Sequence, residues 1–257
     1  MTAPEAPRLL VALLLGVSAA GANLIGGALV AHRHWSRRYL KYFIALGAGF
    51  MLATAVLEMI PESLRLRGDT SSAFFGDTGS VFIFLLAGYF LVHFFEHTVA
   101  PHFHFGEETH PEEVSHAHAS YAVLLGLVIH TFFDGVAIAS GLLVSNWLGG
   151  VIFVAVFLHK LPEGFTVASV MLASGQSKRM AFLSSAILGA ATLAGMGLMF
   201  AVRGAVADAL PFSAGVTLYV AASDLIPEVN REPGFGMAVL VFLGVAVLLG
   251  LKAVFHL

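Results

Sequence analysis

Eight stretches of this chain are apolar over roughly 20 residues, the length a helix needs to cross a bilayer, and nothing else limits its fold so tightly. They cover residues 8–31, 39–62, 81–100, 121–144, 148–174, 180–202, 210–228 and 235–256. Only 11% of the residues are charged, against about 25% in a soluble domain. The chain is therefore predicted to be an all-α integral membrane protein with eight transmembrane helices. Residues 1–257 are expected to form a single transmembrane domain, with 101–120 as a His-rich loop. The first block begins like a secretory signal, with Arg8, an apolar core and the small run Ala19-Ala20-Gly21-Ala22. Its apolar character continues to Val30, which predicts a retained helix. With no cysteine, neither disulfides nor thiolate ligands are available. A formal charge of -3 gives no basic face for nucleic acid.

Lysine and arginine set the sidedness. Arg33, Arg37, Arg38 and Lys41 in the first loop, Lys178 and Arg179 after helix five, and Arg231 after helix seven share one side if both termini lie on the other. Arg8, Arg65, Arg67, Arg203 and Lys252 stand opposite. The excess predicts both termini outside and a multi-pass chain in the cytoplasmic (inner) membrane.

The pattern acid, two apolar residues, Pro, Glu occurs twice. Glu58-Met59-Ile60-Pro61-Glu62 is expected to close helix two, and Asp224-Leu225-Ile226-Pro227-Glu228 to close helix seven. Asn23-Leu24-Ile25-Gly26 and Thr192-Leu193-Ala194-Gly195 pair helices one and six more weakly. Helices two and seven run in opposite senses in an eight-span chain, so helices 1–3 and 6–8 are predicted to be inverted repeats, a recurring plan of secondary transporters. Pro-Glu alone also fits a helix end at the interface. Glu58 and Asp224 lie a turn deeper, where an acid usually has a purpose.

Two further segments carry the chemistry. His130-Thr131-Phe132-Phe133-Asp134-Gly135 lies in helix four and His159-Lys160-Leu161-Pro162-Glu163-Gly164 in helix five. Each sets a histidine and a carboxylate one helical turn apart on one face. A carboxylate at the centre of a membrane helix costs about 2.5–3.5 kcal/mol on insertion scales. A divalent ion held by His130, Asp134, His159 and Glu163 offsets that cost, with two neutral nitrogens and two anionic oxygens. Without an ion, the same residues read as a polar cluster that pins two helices, with Lys160 paired to Asp134 or Glu163. Pro162 is expected to break the hydrogen-bond ladder at Leu158, and Gly135 and Gly164 to admit close helix approach.

Over its whole length the chain resembles the ZIP (Zrt/Irt-like) family of divalent metal transporters, particularly its bacterial members. The helix-four motif of that family, roughly His-Asn-x-x-Asp/Glu-Gly, is similar to His130–Gly135. Its helix-five motif, roughly His/Gln-x-x-Pro-Glu-Gly, is similar to His159–Gly164. The resemblance implies a primary metal site at His130, Asp134, His159 and Glu163. It also implies a 3+2+3 arrangement around the central helices four and five, a homodimer, and metal movement toward the cytoplasm. In some bacterial members a second metal is held by the motif-four Asn, by an acid following the first residue of motif five, and by a carboxylate on helix six. Here Thr131 and Lys160 take two of those places, and helix six has neither acid nor histidine. A single-metal site is predicted, tuned by Thr131 and Lys160.

Helix three ends in His93, Glu96 and His97, followed by His102, His104, His110, His116 and His118 among four glutamates. Such a tract is either a weak metal collector on the cytoplasmic side or a solvated loop that tolerates histidine. His93-Phe94-Phe95-Glu96-His97 also fits H-x-x-E-H, so an intramembrane zinc metalloprotease is the enzyme alternative. It would need a third ligand and an open position for water. A metal-gated channel would use the same central residues, with different kinetics. The leading expectation is a transporter and not an enzyme. Its ion enters past Glu58 and Glu62, sheds water at the central four residues and leaves past Asp224 and Glu228. Zinc suits mixed nitrogen and oxygen ligands; cadmium, iron(II), manganese and cobalt are the other candidates.

Overall fold

The computed structural model describes residues 5–30, 37–68, 76–98, 117–232 and 234–255. Among these, every regular element is a helix. Helix α1 is Glu5–Leu29. Helix α2 is a rod of Arg37–Thr54, a π-turn Ala55–Met59 and Ile60–Arg67. It is followed by α3 (Gly76–Thr98), α4 (Ala117–Val144), α5 (Asn146–Ala173) and α6 (Lys178–Ala201). Helix α7 comprises Val206–Tyr219, a π-turn Val220–Leu225 and Ile226–Asn230, and α8 is Phe235–Val254. All eight rods are long and apolar enough to span a membrane. Ser145 and Ser177 start α5 and α6 as N-caps, accepting from the Leu148 and Met180 amides.

One sequence expectation needs correction. Pro61-Glu62 does not close α2, which runs on to Arg67, whereas Pro227-Glu228 lies in the last turn of α7, which ends at Asn230. Proline has no N–H and its ring crowds the carbonyl one turn back. The chain answers by widening that turn. The amide just before each proline reaches five residues back, Ile60 to the Ala55 carbonyl and Ile226 to the Ala221 carbonyl. The Leu57 carbonyl facing Pro61 receives the Lys252 ammonium at 3.4 Å. Pro162 sits inside a helix that remains continuous, and, having no N–H, it leaves the Leu158 carbonyl without its helical donor as expected.

Over the most apolar 18 residues of each helix, α5 is the most enclosed, with 67% of them buried, and α8 the least, with 17%. Helix α4 packs on α5, α6 and α7, and α5 on α1, α2 and α6, while α3 lies chiefly on α7 and α8 on α2. Exchanging α1 with α6, α2 with α7, α3 with α8 and α4 with α5 carries most of these contacts onto one another or onto themselves; α5 on α6 is the exception, because α4 barely touches α1. Lys41 pairs with Glu232 and Arg67 with Asp208, so the start of α2 meets the end of α7 and the reverse. These two rods are antiparallel, and their acidic π-turns lie toward opposite ends.

Glycine makes the closest contacts. A Cβ at Gly26 of α1 would stand 2.2 Å from the Leu161 carbonyl oxygen of α5, and one at Gly195 of α6 would stand 2.0 Å from that of Phe132 in α4. The Asn23/Thr192 and Gly26/Gly195 correspondence is therefore structural as well as sequential. Hydroxyls in the spans turn back onto their own helices: Ser18 donates to Leu14, Thr54 to Phe50 and Ser63 to Met59, each at 2.7–2.8 Å. That satisfies them without water. Leu10, Leu13, Phe90 and Phe242 point outward, as lipid contact requires.

Candidate metal centre

Helices α4 and α5 bring His130, Asp134, His159 and Glu163 to one buried point, and one ligand atom from each lies within 4.8 Å of the others. His130 Nε2 is 3.1 Å from Asp134 Oδ2, His159 Nε2 is 3.3 Å from the same oxygen, and the two nitrogens are 3.4 Å apart. Tetrahedral zinc with bonds of about 2.0–2.2 Å separates its ligand atoms by about 3.3–3.6 Å. Three edges of such a tetrahedron are thus nearly formed. His159 Nδ1 lies 3.1 Å from the Ala155 carbonyl; donating there leaves the Nε2 lone pair facing the cluster. Asp134 Oδ1 is buried without a hydrogen-bond partner, a spare acceptor aimed at no protein donor.

The glycine after each acid closes the site from outside. A Cβ at Gly135 would stand 2.0 Å from the Thr192 carbonyl oxygen, and one at Gly164 2.1 Å from that of Asn23. Helices α6 and α1 therefore press their backbones onto α4 and α5 beside the acids.

Lys160 and Thr131 belong to the same cluster. The Lys160 ammonium is 2.6 Å from Asp134 Oδ2, bonds Glu163 Oε2 at short range and donates to Thr131 Oγ1 at 3.2 Å. The Thr131 hydroxyl donates to Glu163 Oε1. Lys160 is fully buried. Of the two partners the sequence left open, it takes both.

The outlying acids divide into two settings. Glu58 is buried in the α2 π-turn, 2.7 Å from Lys252 Nζ of α8, and accepts from the Trp147 indole at 3.2 Å. Glu62 pairs with the exposed Arg65 at 3.0 Å. Asp224 is buried in the α7 π-turn within hydrogen-bonding reach of Glu96, whose other partner is the Tyr219 hydroxyl at 2.9 Å. Glu228 is buried one turn on, 3.6 Å from Arg231. None of these acids joins the central four.

His93 stacks at 4.1 Å on His97, whose Nδ1 contacts the His93 carbonyl. These residues, with Glu96, form no three-ligand cluster among the described residues, so the H-x-x-E-H protease reading finds no support. His102, His104, His110 and His116 lie outside the described residues, as does the side chain of His118. Sequence reasoning missed Lys252, Trp147 and Tyr219 as partners of the acids. A lone lysine in the last apolar block was the available signal for the first. It also missed Asn23, fully buried with both amide atoms unpartnered.

The family model described as ZIP Zinc transporter matches residues 8–123 and 106–252. Zinc transporter ZupT of Escherichia coli O7:K1 (strain IAI39 / ExPEC) is 30% identical, the match covering 88% of this chain and 91% of the relative. Zinc transporter ZIP9 of Micropogonias undulatus is 26% identical over 84% of both chains, and that of Xenopus tropicalis 25% over 80% of both. Both halves of the sequence are thus matched, together with the motif helices α4 and α5: the chain belongs to the ZIP zinc transporter family.

Proposed function

We propose that this protein is a permease that carries divalent transition-metal ions, zinc foremost, across the cytoplasmic membrane into the cell. The observation that carries the reading is the buried set His130, Asp134, His159 and Glu163, in which the first three have nearly the mutual spacing of tetrahedral zinc ligands. The zinc transport for which the three relatives are named supports it. The site holds one metal, because Lys160 fills the neighbouring space. Cadmium, iron(II), manganese and cobalt compete for the same ligands, since ligand type alone does not select among them.

The ion enters past Glu58 and Glu62 and leaves past Asp224 and Glu228, with both termini outside and the 101–120 tract as a cytoplasmic collector. A 3+2+3 arrangement with inverted repeats is supported by the reciprocal packing of the helices and the antiparallel α2 and α7. Movement of one helix group against another gives alternating access, and the assembly is a homodimer. Zinc uptake into proteoliposomes tests the reading. Saturable uptake in the wild type, lost in His159→Ala and in Glu163→Ala, is the expected result; uptake that survives both changes makes the cluster structural.

A further inference from the structure

The two carboxylates of the metal site already hold a cation. An ammonium has three N–H donors, and Lys160 faces three acceptors: Asp134 Oδ2 at 2.6 Å, Glu163 Oε2, and Thr131 Oγ1 at 3.2 Å. Its side chain is completely enclosed. Asp134 Oδ2 is also the atom both imidazole nitrogens approach, at 3.1 and 3.3 Å. An ion bound to those nitrogens therefore claims the oxygen that the ammonium holds, and the two positive charges repel. The lysine is attached to α5 and cannot leave; it can only yield Asp134 and stay on Glu163 and Thr131.

A carrier must cross its barrier twice per net cycle, once loaded and once empty, and uncompensated charge in a low-dielectric interior opposes both crossings. With neutral histidines, Asp134 and Glu163 alone would make the loaded site neutral and the empty site doubly negative. Adding the Lys160 charge makes them singly positive and singly negative. The load no longer sits in an electrostatic trap, and the empty site no longer carries two bare anions.

We propose that Lys160 is a resident cation that lets the empty site reorient, occupying Asp134 whenever the metal does not. This rests on the transport reading above and concerns only the return step. Lys160 is a positioning residue in this role: it acts through the ligands and not on the ion.

The test separates two flows in proteoliposomes. Net zinc uptake into empty vesicles needs the empty return, whereas exchange of isotopic zinc into zinc-loaded vesicles needs only loaded crossings. Lys160→Gln is expected to lower net uptake at least about tenfold more than it lowers exchange, with charge-retaining Lys160→Arg recovering net uptake. Calorimetric titration of detergent-purified Lys160→Gln and Lys160→Met with zinc is expected to show affinity at least about tenfold tighter than wild type. The inference is overturned if both flows fall together, if net uptake is unchanged, or if neither variant binds zinc more tightly. Loss of both flows in the wild type itself would instead overturn the transport reading.

Discussion

The π-turns of α2 and α7 are built alike and furnished differently. In each, the residue before a proline bonds five residues back, and an acid is buried in the widened turn. Glu58 of α2 meets a cation, Lys252, and a neutral donor, Trp147. Asp224 of α7 meets another acid, Glu96, with Tyr219 behind it. A shared backbone solution thus separates from shared electrostatics. The proline imposes the turn, which is local; the partners come from α8 and α5 on one side and α3 on the other. One buried acid is thus latched by a fixed positive charge, and the other faces a second acid.

Making the two ends electrostatically alike is the severest way to break this contrast. Asp224→Lys places a cation at the acid-lined end and is expected to cut zinc uptake by at least about 100-fold, measured in reconstituted vesicles. Uptake within a few-fold of wild type would remove Asp224 from the ion's route. At the latched end, two changes should act in opposite directions. Glu58→Gln leaves Lys252 without its carboxylate and is expected to raise the KM for zinc about fivefold to tenfold, whereas Lys252→Met frees Glu58 and lowers KM about twofold to fivefold. KM moving the same way in both would mean that the pair only braces α2 against α8.

A packing comparison sharpens the same point. A Cβ at Gly49 would stand 1.9 Å from the Val241 carbonyl oxygen, and one at Gly215 1.9 Å from that of Leu85, at equivalent seams α2/α8 and α3/α7. Gly49→Ala and Gly215→Ala are expected to destabilise the protein alike, by about 1–3 kcal/mol, read from thermal unfolding in detergent. Unequal losses would show that the ends differ in packing as well as charge. The smallest effect belongs to Glu62→Gln. Its partner Arg65 is 80% exposed, and uptake is expected to change by less than about twofold.

The central site was legible in the sequence because its signal is one-dimensional. His130 with Asp134, and His159 with Glu163, are one helical turn apart inside apolar runs, and spacing alone puts each pair on one face. The eight spans followed from hydropathy for the same reason. The helix end at Pro61 was misread because a widened turn depends on what fills it. The Leu57 carbonyl finds its donor in Lys252, 195 residues away in the chain. At Pro162 the lost hydrogen bond was legible but not the turn geometry: there the helix stays α, without a widened turn. Lys160 was visible as a charge at membrane depth, but its simultaneous hold on Asp134, Glu163 and Thr131 requires the crossing of α4 and α5. Asn23 was visible only through its pairing with Thr192: a polar residue in an apolar block carries no mark of full burial.

The glycine seams also have a genetic consequence. Any single-nucleotide change of a glycine codon that alters the amino acid adds a Cβ, and at Gly26, Gly135, Gly164 and Gly195 that atom would fall 2.0–2.2 Å from a backbone carbonyl oxygen. Backbone cannot move aside as a side-chain tip can. No missense path leads out of these four codons without a helix shifting, and a saturation scan should return them as two glycine-only pairs, one on each side of the metal site.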